Sequence, residues 1–311
     1  MNVAYTDTPH NMDKLLAYIF TERNAIISNL FQHPKCYFYD TCSFRRHANL
    51  NQTNAEYFLH YIKKQNGIIV ITGCILMELA SHSGILNDKY IAYIKHIQNF
   101  GINVLVIYEE DLFYVLETCF SANAAINNYL CWAVRNIKGP VSTITETLEA
   151  NSSLHNEVIK GNNLNSSDVY QRFFSMVKKN KTSGDNLGEE LLAICLHILS
   201  HLPGEDDGKF CIITDDKGAA GKIDALFKKT AAPHCGKAIG IFSTPKLVQI
   251  LYREQILQNK THMNEILGTG SSGTIVVLGT LIYDIRSKDI SLSTDELTEL
   301  IMQPNGINII F

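Results

Sequence analysis

The sequence predicts an α/β protein with a doubly wound, central parallel sheet. Five short apolar runs, rich in β-branched or aromatic residues, are typical of buried strands, and helical spacing of apolar residues follows them. Such alternation of strand and helix is the signature of parallel strands joined by right-handed crossovers. A polar stretch with helical spacing at about 110–181 interrupts the alternation and predicts a helical insertion.

Each element is predicted from its apolar spacing and its flanking residues. The predicted strands lie at 36–40, 67–72, 102–107, 209–214 and 238–242. The predicted helices lie at 11–31, 55–64, 73–82, 90–100, 185–199, 219–229 and 274–286, and two more begin at Ser243 and Ser293. Asn186 and Glu189 have the spacing of an N-cap and its capping-box partner. The predicted division is an N-terminal helical extension (1–34), a main domain that contains the insertion (35–258) and a C-terminal extension (259–311).

The composition is that of a globular protein, because 46% of the 311 residues are hydrophobic and 19% are charged. No apolar run reaches the roughly 18 residues of a membrane span, and no signal-peptide pattern opens the chain. Eight cysteines without a Cys-x-x-Cys pair favour reduced core thiols over disulfides or a zinc site. We therefore expect a soluble cytoplasmic protein, away from membranes, in which oxygen atoms hold any metal.

Four acidic residues share one place in the predicted pattern, since each follows a strand or lies in the first turns of the helix beyond it. They are Asp40, Glu78, Glu189 and Asp216, with Asp215 beside the last. Ligands of open α/β sheets bind beyond the carboxyl ends of the strands, and we expect the four acids to converge there. Clustered carboxylates favour a neutralising cation, and hard oxygen ligands favour Mg²⁺ or Mn²⁺. Such ions can activate water for hydrolysis of a phosphodiester.

Each acid also has a purely structural interpretation. Asp40 suits a turn or a helix cap, and Glu78 suits an exposed helical position. Glu189 suits a capping box, and Asp215 to Gly218 suit a type I turn. These alternatives are independent of one another, whereas one shared site accounts for all four acids together.

Four short motifs resemble those of the PIN-domain ribonucleases, whose best-known members are the VapC-type toxins. They are Asp-Thr-Cys-Ser at 40–43, Ile-Leu-Met-Glu-Leu-Ala at 75–80, Gly-Glu at 188–189 and Ile-Thr-Asp-Asp at 213–216. The order and context of the motifs match the family, and the resemblance covers about 35–80 and 185–258. The insertion and both extensions lie outside it, since a compact PIN toxin is far shorter than this chain.

The resemblance implies a PIN-like three-layer αβα sandwich and a metal-dependent ribonuclease. It implies that Asp40, Glu78, Glu189 and Asp216 ligate Mg²⁺ or Mn²⁺, with Asp215 as a neighbour that can contribute. The hydroxyls of Thr41, Ser43 and Thr214 are then candidates to hold a ligand carboxylate or the attacking water. Arg45, Arg46 and Lys217 are candidates to hold RNA phosphates, although a solvated surface accounts for them equally well. An inhibitory partner protein, as for a toxin, is a further expectation.

The net charge of −4 gives no general attraction for RNA, so local basic patches have to supply it. Lys178, Lys179 and Lys181 end the insertion just before Asp185, and we predict that they contact phosphates of a single-stranded RNA. The Gly-x-Gly-x-x-Gly string at 268–273 lacks the preceding first strand of a dinucleotide site and is predicted to be a linker. The alternative function is a PIN-like scaffold that binds RNA or a protein without cutting.

Overall fold

A five-stranded parallel sheet forms the centre of the computed structural model, which describes residues 5–137, 139, 142–229 and 236–311. Its strands are β1 (Lys35–Tyr39), β2 (Gly67–Thr72), β3 (Val104–Ile107), β4 (Phe210–Ile213) and β5 (Gly240–Phe242). Every residue of β2, β3 and β4 is buried, as expected for parallel strands that are covered on both faces. The predicted α/β class and all five predicted strands are confirmed.

Helices flank the sheet in an arrangement consistent with a three-layer sandwich. Those of the main domain outside the insertion are α2 (Thr41–His47), α3 (Gln52–Lys64), α4 (Gly73–Ala80), α5 (Asp88–Asn99), α11 (Leu187–Leu199), α12 (Lys217–Lys229) and α13 (Thr244–Arg253). Ser243 caps α13, and Pro245 lies in its first turn, where its missing N–H costs nothing.

The strand order is β3-β2-β1-β4-β5, so the chain builds the sheet outward from its centre in two directions. Cys36 of β1 pairs with Ile68 of β2 on one side and with Phe210 of β4 on the other. The order therefore reverses between β1 and β4. In open α/β sheets, the crevice at such a reversal, beyond the carboxyl ends of the strands, is where ligands bind.

The insertion is helical, as predicted, and has no strand among the residues that the structure describes between 110 and 181. Its helices are α6 (Leu112–Glu117), α7 (Asn123–Ile137), α8 (Thr143–Ala150), α9 (Ser152–Val158) and α10 (Val169–Lys179). Its apolar side chains join the core of the main domain, since Phe173, Phe174 and Val177 are fully buried.

The N-terminal extension differs from the single helix predicted over 11–31. A short 3₁₀ turn (Met12–Lys14) is followed by further turns over 15–18 and a bend, and only then by α1 (Arg23–Gln32). Phe20 lies beside β3 as an isolated parallel bridge, donating its N–H to Val104 and accepting from Val106, both at 2.9 Å. Of the apolar residues with helical spacing before α1, Leu15 and Ile19 are buried in the core, whereas Leu16 is 58% exposed.

The C-terminal extension holds a second, antiparallel sheet, and the helix predicted at 274–286 is wrong. The order is β7-β6-β8, made of β6 (Thr274–Leu281), β7 (Lys288–Ser293) and β8 (Ile307–Ile309). Two helices, α14 (Lys260–Gly268) and α15 (Thr294–Met302), accompany it. The helix predicted to open at Ser293 is α15, and a capping box of Ser293 and Glu296 begins it. The glycine-rich string ends α14 and leads into β6. None of the helices that the structure describes is both long enough and apolar enough to span a membrane.

Candidate active site

The four predicted acids line one cleft of about 330 Å³. The cleft lies beyond the carboxyl ends of β1 and β4, where the strand order reverses. Asp40 follows β1, Glu78 lies on the helix after β2, Glu189 opens α11 and Asp216 follows β4. Four separate segments thus deliver one carboxylate each, as the sequence pattern predicts.

Asp40 is the most buried of the four, with 4% of its surface exposed. It caps α2, and its carboxylate accepts hydrogen bonds from the Thr41 N–H at 2.7 Å and from the Thr214 hydroxyl and the Cys42 thiol, both at 2.8 Å. Burial raises the pKa of Asp40, these hydrogen bonds oppose the rise, and the nearby charge of Glu78 adds to it. The carboxylate is therefore fixed in position and would gain from a cation.

Glu78 lies on the helix that begins directly after β2. Its carboxylate accepts a hydrogen bond from the Thr41 hydroxyl at 2.5 Å and pairs with the Lys181 ammonium at 2.9 Å. Gly188 in the first turn of α11 leaves the space that this carboxylate fills, because a Cβ at that position would overlap the carboxylate. The close approach of α11 to Glu78 thus depends on a glycine.

Glu189 and Asp216 are the other two of the four acids, which together form the acidic wall of the cleft. Glu189 pairs with Lys222 of α12 at 2.5 Å, and Asp216 accepts from the Gly218 N–H at 2.6 Å at the start of α12. Burial raises the pKa of Glu189, Lys222 opposes the rise, and the charges of Asp216 and Asp40 add to it. Because the charge of Glu78 also acts on Asp40, all four acids interact electrostatically at this edge.

Two lysines pair with acids of the cleft. Lys181 lies between Glu78, at 2.9 Å, and Asp185, at 2.6 Å, with 3% of its side chain exposed. Burial alone would lower the pKa of Lys181, but the charge of Glu78 and its other acidic partners raise it above its usual value. Lys222 plays the corresponding part for Glu189. Both lysines therefore form ion pairs with acids of the cleft.

Asp185 also lines the cleft, although it is not among the acids predicted from the sequence. It accepts hydrogen bonds from the N–H groups of Thr182 and Leu187, at 2.7 and 3.2 Å, and from the Thr143 hydroxyl at 2.9 Å. Asn186 makes no side-chain cap, so the predicted capping box is wrong and Asp185 organises the start of α11 instead. Its i,i+4 spacing from Lys181 was the signal in the sequence. The sequence held no comparable signal for Lys222 or for Tyr5, which also lines the cleft.

Asp215 and Arg46 lie outside the cleft lining and bind each other. Asp215 accepts from the Arg46 guanidinium at 3.1 Å and from the N–H and hydroxyl of Thr244 at 2.6 and 2.7 Å. Burial raises the pKa of Asp215, but Arg46, His47 and the bonds from Thr244 lower it more, and the net shift is downward. Arg46 also donates to the Leu267 carbonyl at 2.7 Å. The pair thus anchors the C-terminal extension, and neither residue meets the cleft.

The remaining predicted residues divide between the cleft and other surfaces. Thr41 and Thr214 hold the carboxylates of Glu78 and Asp40, as expected, while Ser43 is fully buried with its hydroxyl 3.9 Å from the Cys42 thiol. Arg45 lines the cleft and donates to the Glu78 carbonyl at 2.7 Å.

The predicted phosphate-binding lysines are mostly engaged elsewhere. Lys178 is buried against Glu109 and Glu110, at 3.3 and 2.7 Å, so it cannot face an RNA as predicted. Lys181 is inside the cleft but paired. Lys179 is exposed and lines a different groove on the insertion, and Lys217 pairs with Asp289 at 2.7 Å.

In this arrangement, no three His, Cys, Asp or Glu side chains of the described residues form a group that could hold a metal ion. The donor chemistry nevertheless suits Mg²⁺ or Mn²⁺, because the converging groups are carboxylate oxygens. Two further observations fit a cation: the raised pKa values of Asp40 and Glu189, and the recess at Gly188 that seats Glu78. The ammonium groups of Lys181 and Lys222 supply part of the positive charge that balances these carboxylates.

Comparisons with protein-family models, with curated proteins and with solved structures find no match to this chain.

Proposed function

We propose that this chain is a metal-dependent PIN-like ribonuclease that hydrolyses RNA phosphodiester bonds. One observation carries the proposal: Asp40, Glu78, Glu189 and Asp216 come from four separate segments and line a single cleft where the strand order reverses. A structural role for each acid alone gives no reason for the four to meet. The motifs at these positions, which resemble those of PIN-domain ribonucleases, add support.

The four acids would hold Mg²⁺ or Mn²⁺, which when bound would supply an activated water and charge neutralisation for the displacement at phosphorus. The chain's own residues prepare the site. Thr41 and Thr214 fix the carboxylates of Glu78 and Asp40 through hydrogen bonds. Arg45, tied to the Glu78 carbonyl, presents its guanidinium at the rim, where it can orient a phosphate.

The second candidate is a PIN-like scaffold that binds RNA or a protein partner without cutting. The pairing of Lys181 with Glu78, and of Lys222 with Glu189, favours it, since both acids are already neutralised without a metal. The cleft would then be a polar binding surface. An RNA-processing role, a toxin role and an inhibitory partner protein all stay predictions that depend on which candidate is correct.

The test is cleavage of a mixed RNA pool by the purified protein with Mn²⁺, with Mg²⁺ and with EDTA. We expect cleavage with either metal, none with EDTA, and none from Asp40→Asn purified in parallel, which also controls for contaminating nucleases. Absence of cleavage together with RNA binding would favour the scaffold. Equal cleavage by the wild type and Asp40→Asn would overturn the assignment of the site.

A further inference from the structure

A second groove adjoins the acidic cleft. It has a volume of about 630 Å³, within the roughly 300–1,000 Å³ range of small-ligand sites. Arg45 and Ser81 line both the groove and the cleft, so the two form one continuous depression. Ser81 has a φ of 55° and a ψ of −161°, a conformation that is strained in a residue other than glycine. A strained residue thus lies at the junction.

The walls of this groove are fixed before any ligand binds. One wall is the N-terminal segment, in which Asn11 exchanges two hydrogen bonds with the backbone of Leu86, at 2.9 and 3.0 Å. The N–H of His10 adds a third bond, to the Gly84 carbonyl at 2.8 Å. Asp88 and Tyr90, at the start of α5, also line the groove. A preformed groove loses little conformational freedom on binding.

The chemistry of the groove suits a nucleotide. Lys14 and Arg45 supply two cations, and Tyr90 and the half-exposed Ile85 supply surface against which a base can pack. Lys14 is paired with Asp88 only at 3.4 Å, and both side chains are more than half exposed. Such a pair is worth little, so Lys14 can turn to a phosphate at small cost.

We propose that this second groove binds the nucleotides next to the cleaved phosphodiester of a single-stranded RNA, which passes Arg45 to enter the acidic cleft; this rests on the ribonuclease function proposed above. A single strand is required, because its bases are free to enter a groove lined by tyrosine and amide groups, whereas the bases of a duplex are already stacked and paired. The N-terminal extension, which the resemblance to PIN domains does not cover, then forms part of the substrate site.

Fluorescence anisotropy tests the groove separately from cleavage. A short fluorescein-labelled single-stranded RNA of mixed sequence is titrated with the full chain in EDTA, so that nothing is cut. We expect Lys14→Ala and Arg45→Ala each to weaken binding several-fold, and the double variant to reduce the slope of log affinity against log salt by about 1.4, since each lost phosphate contact is worth about 0.7. The same RNA annealed to its complement should bind more weakly.

Lys89→Ala is the matched control. Lys89 is an exposed lysine near the start of α5, but it lines a different groove, so its removal changes net charge equally and should leave RNA affinity within about twofold. Equal losses for Lys14, Arg45 and Lys89 would show general electrostatics and overturn the proposed groove, as would duplex binding as tight as single-strand binding. If the wild type cleaves RNA and the Lys14 and Arg45 variants bind RNA as tightly as the wild type, the proposed groove alone is overturned. If the wild type does not cleave RNA but the groove variants still bind it more weakly, the nuclease function is overturned and the groove stands only as a binding site for single-stranded RNA.

Discussion

The carboxylate of Glu78 occupies the space in which Gly188 would carry a side chain. Gly188 lies one residue before Glu189, so the same turn of α11 that supplies one acid makes room for another. The distance between Glu78 and Glu189 therefore depends on the absence of a side chain at Gly188.

Gly188→Ala should displace the Glu78 carboxylate while leaving the fold intact, because the obstructing group is the end of a side chain and alanine favours a helix. We expect at least a tenfold loss of cleavage and a smaller rise in melting temperature with Mn²⁺. Gly221→Ala is the control: Gly221 lies in α12 with open space around it, so alanine should stabilise by about 0.5–1 kcal/mol without altering the metal response. Identical Mn²⁺ responses of both variants would show that the recess has no part in the site.

Asp40→Asn and Asp215→Asn should separate function from stability. Asn at position 40 keeps a similar shape and removes a metal-binding charge, so cleavage and Mn²⁺ stabilisation should be lost with little change in urea stability. Asn at position 215 leaves the partly buried Arg46 without its partner and should cost about 2 kcal/mol of unfolding free energy, with the Mn²⁺ response retained. The reverse pattern would make Asp215, and not Asp40, the ligand.

Lys181→Met should lower stability in EDTA but increase stabilisation by Mn²⁺. The lysine pairs with Glu78 and Asp185. Without metal, its removal leaves these two acids to repel each other, and with metal present it leaves both free to bind the ion. A tenfold gain in affinity would add about 1.4 kcal/mol at saturating Mn²⁺. Lys178→Met removes an equally buried lysine paired with Glu109 and Glu110, away from the cleft lining, and should lower stability in EDTA alone. A reduced Mn²⁺ response in Lys181→Met would mean that the lysine positions the acids for the metal.

His47 should make the protein less stable in acid. It lies buried between the Tyr39 hydroxyl at 2.8 Å and the Thr244 hydroxyl at 3.0 Å, and burial lowers its pKa from 6.5 to about 4. The folded state therefore binds fewer protons than the unfolded state between these values. Its contribution, up to roughly 3 kcal/mol, is complete above pH 6.5 and is lost as the pH falls toward 4. Denaturant melts of the wild type and His47→Gln across this range should show a shallower pH dependence in the variant. Parallel curves would contradict the assignment to His47.

The acids of the site could be predicted because local signals locate them. Asp40 and Asp216 each lie at the end of a short run of β-branched or aromatic residues. In a parallel sheet, the carboxyl ends of such strands lie at the same edge. Lys222 could not be predicted, since nothing local distinguishes a lysine on α12 that meets Glu189 from one that meets water. Pairing of charges across distant segments depends on the docking of two helices, which the sequence alone does not reveal.

The error at 274–286 has a different physical origin. In β6 alternate residues such as Ile275 and Val277 are buried, but Val276 on the other face is also apolar and half exposed. An unbroken apolar run fits a buried helix as well as a strand. Gly279 is the residue in this run that indicates a strand, because glycine within a sheet often marks a close approach of another backbone. Here the Asn308 carbonyl of β8 lies too close to Gly279 for any side chain.

The central position of β1 has a consequence for how the protein folds. The bond from Thr214 to Asp40 joins residues 174 apart, and the pairing of β1 with β4 closes the same long loop. Closing such a loop costs on the order of 5 kcal/mol of chain entropy, so contacts at the centre of the sheet should form late and slowly. During synthesis, Asp40 and Glu78 leave the ribosome long before Glu189 and Asp216. The first two acids are therefore synthesised before the other two, and the cleft of the nascent chain is complete only when β4 has inserted beside β1.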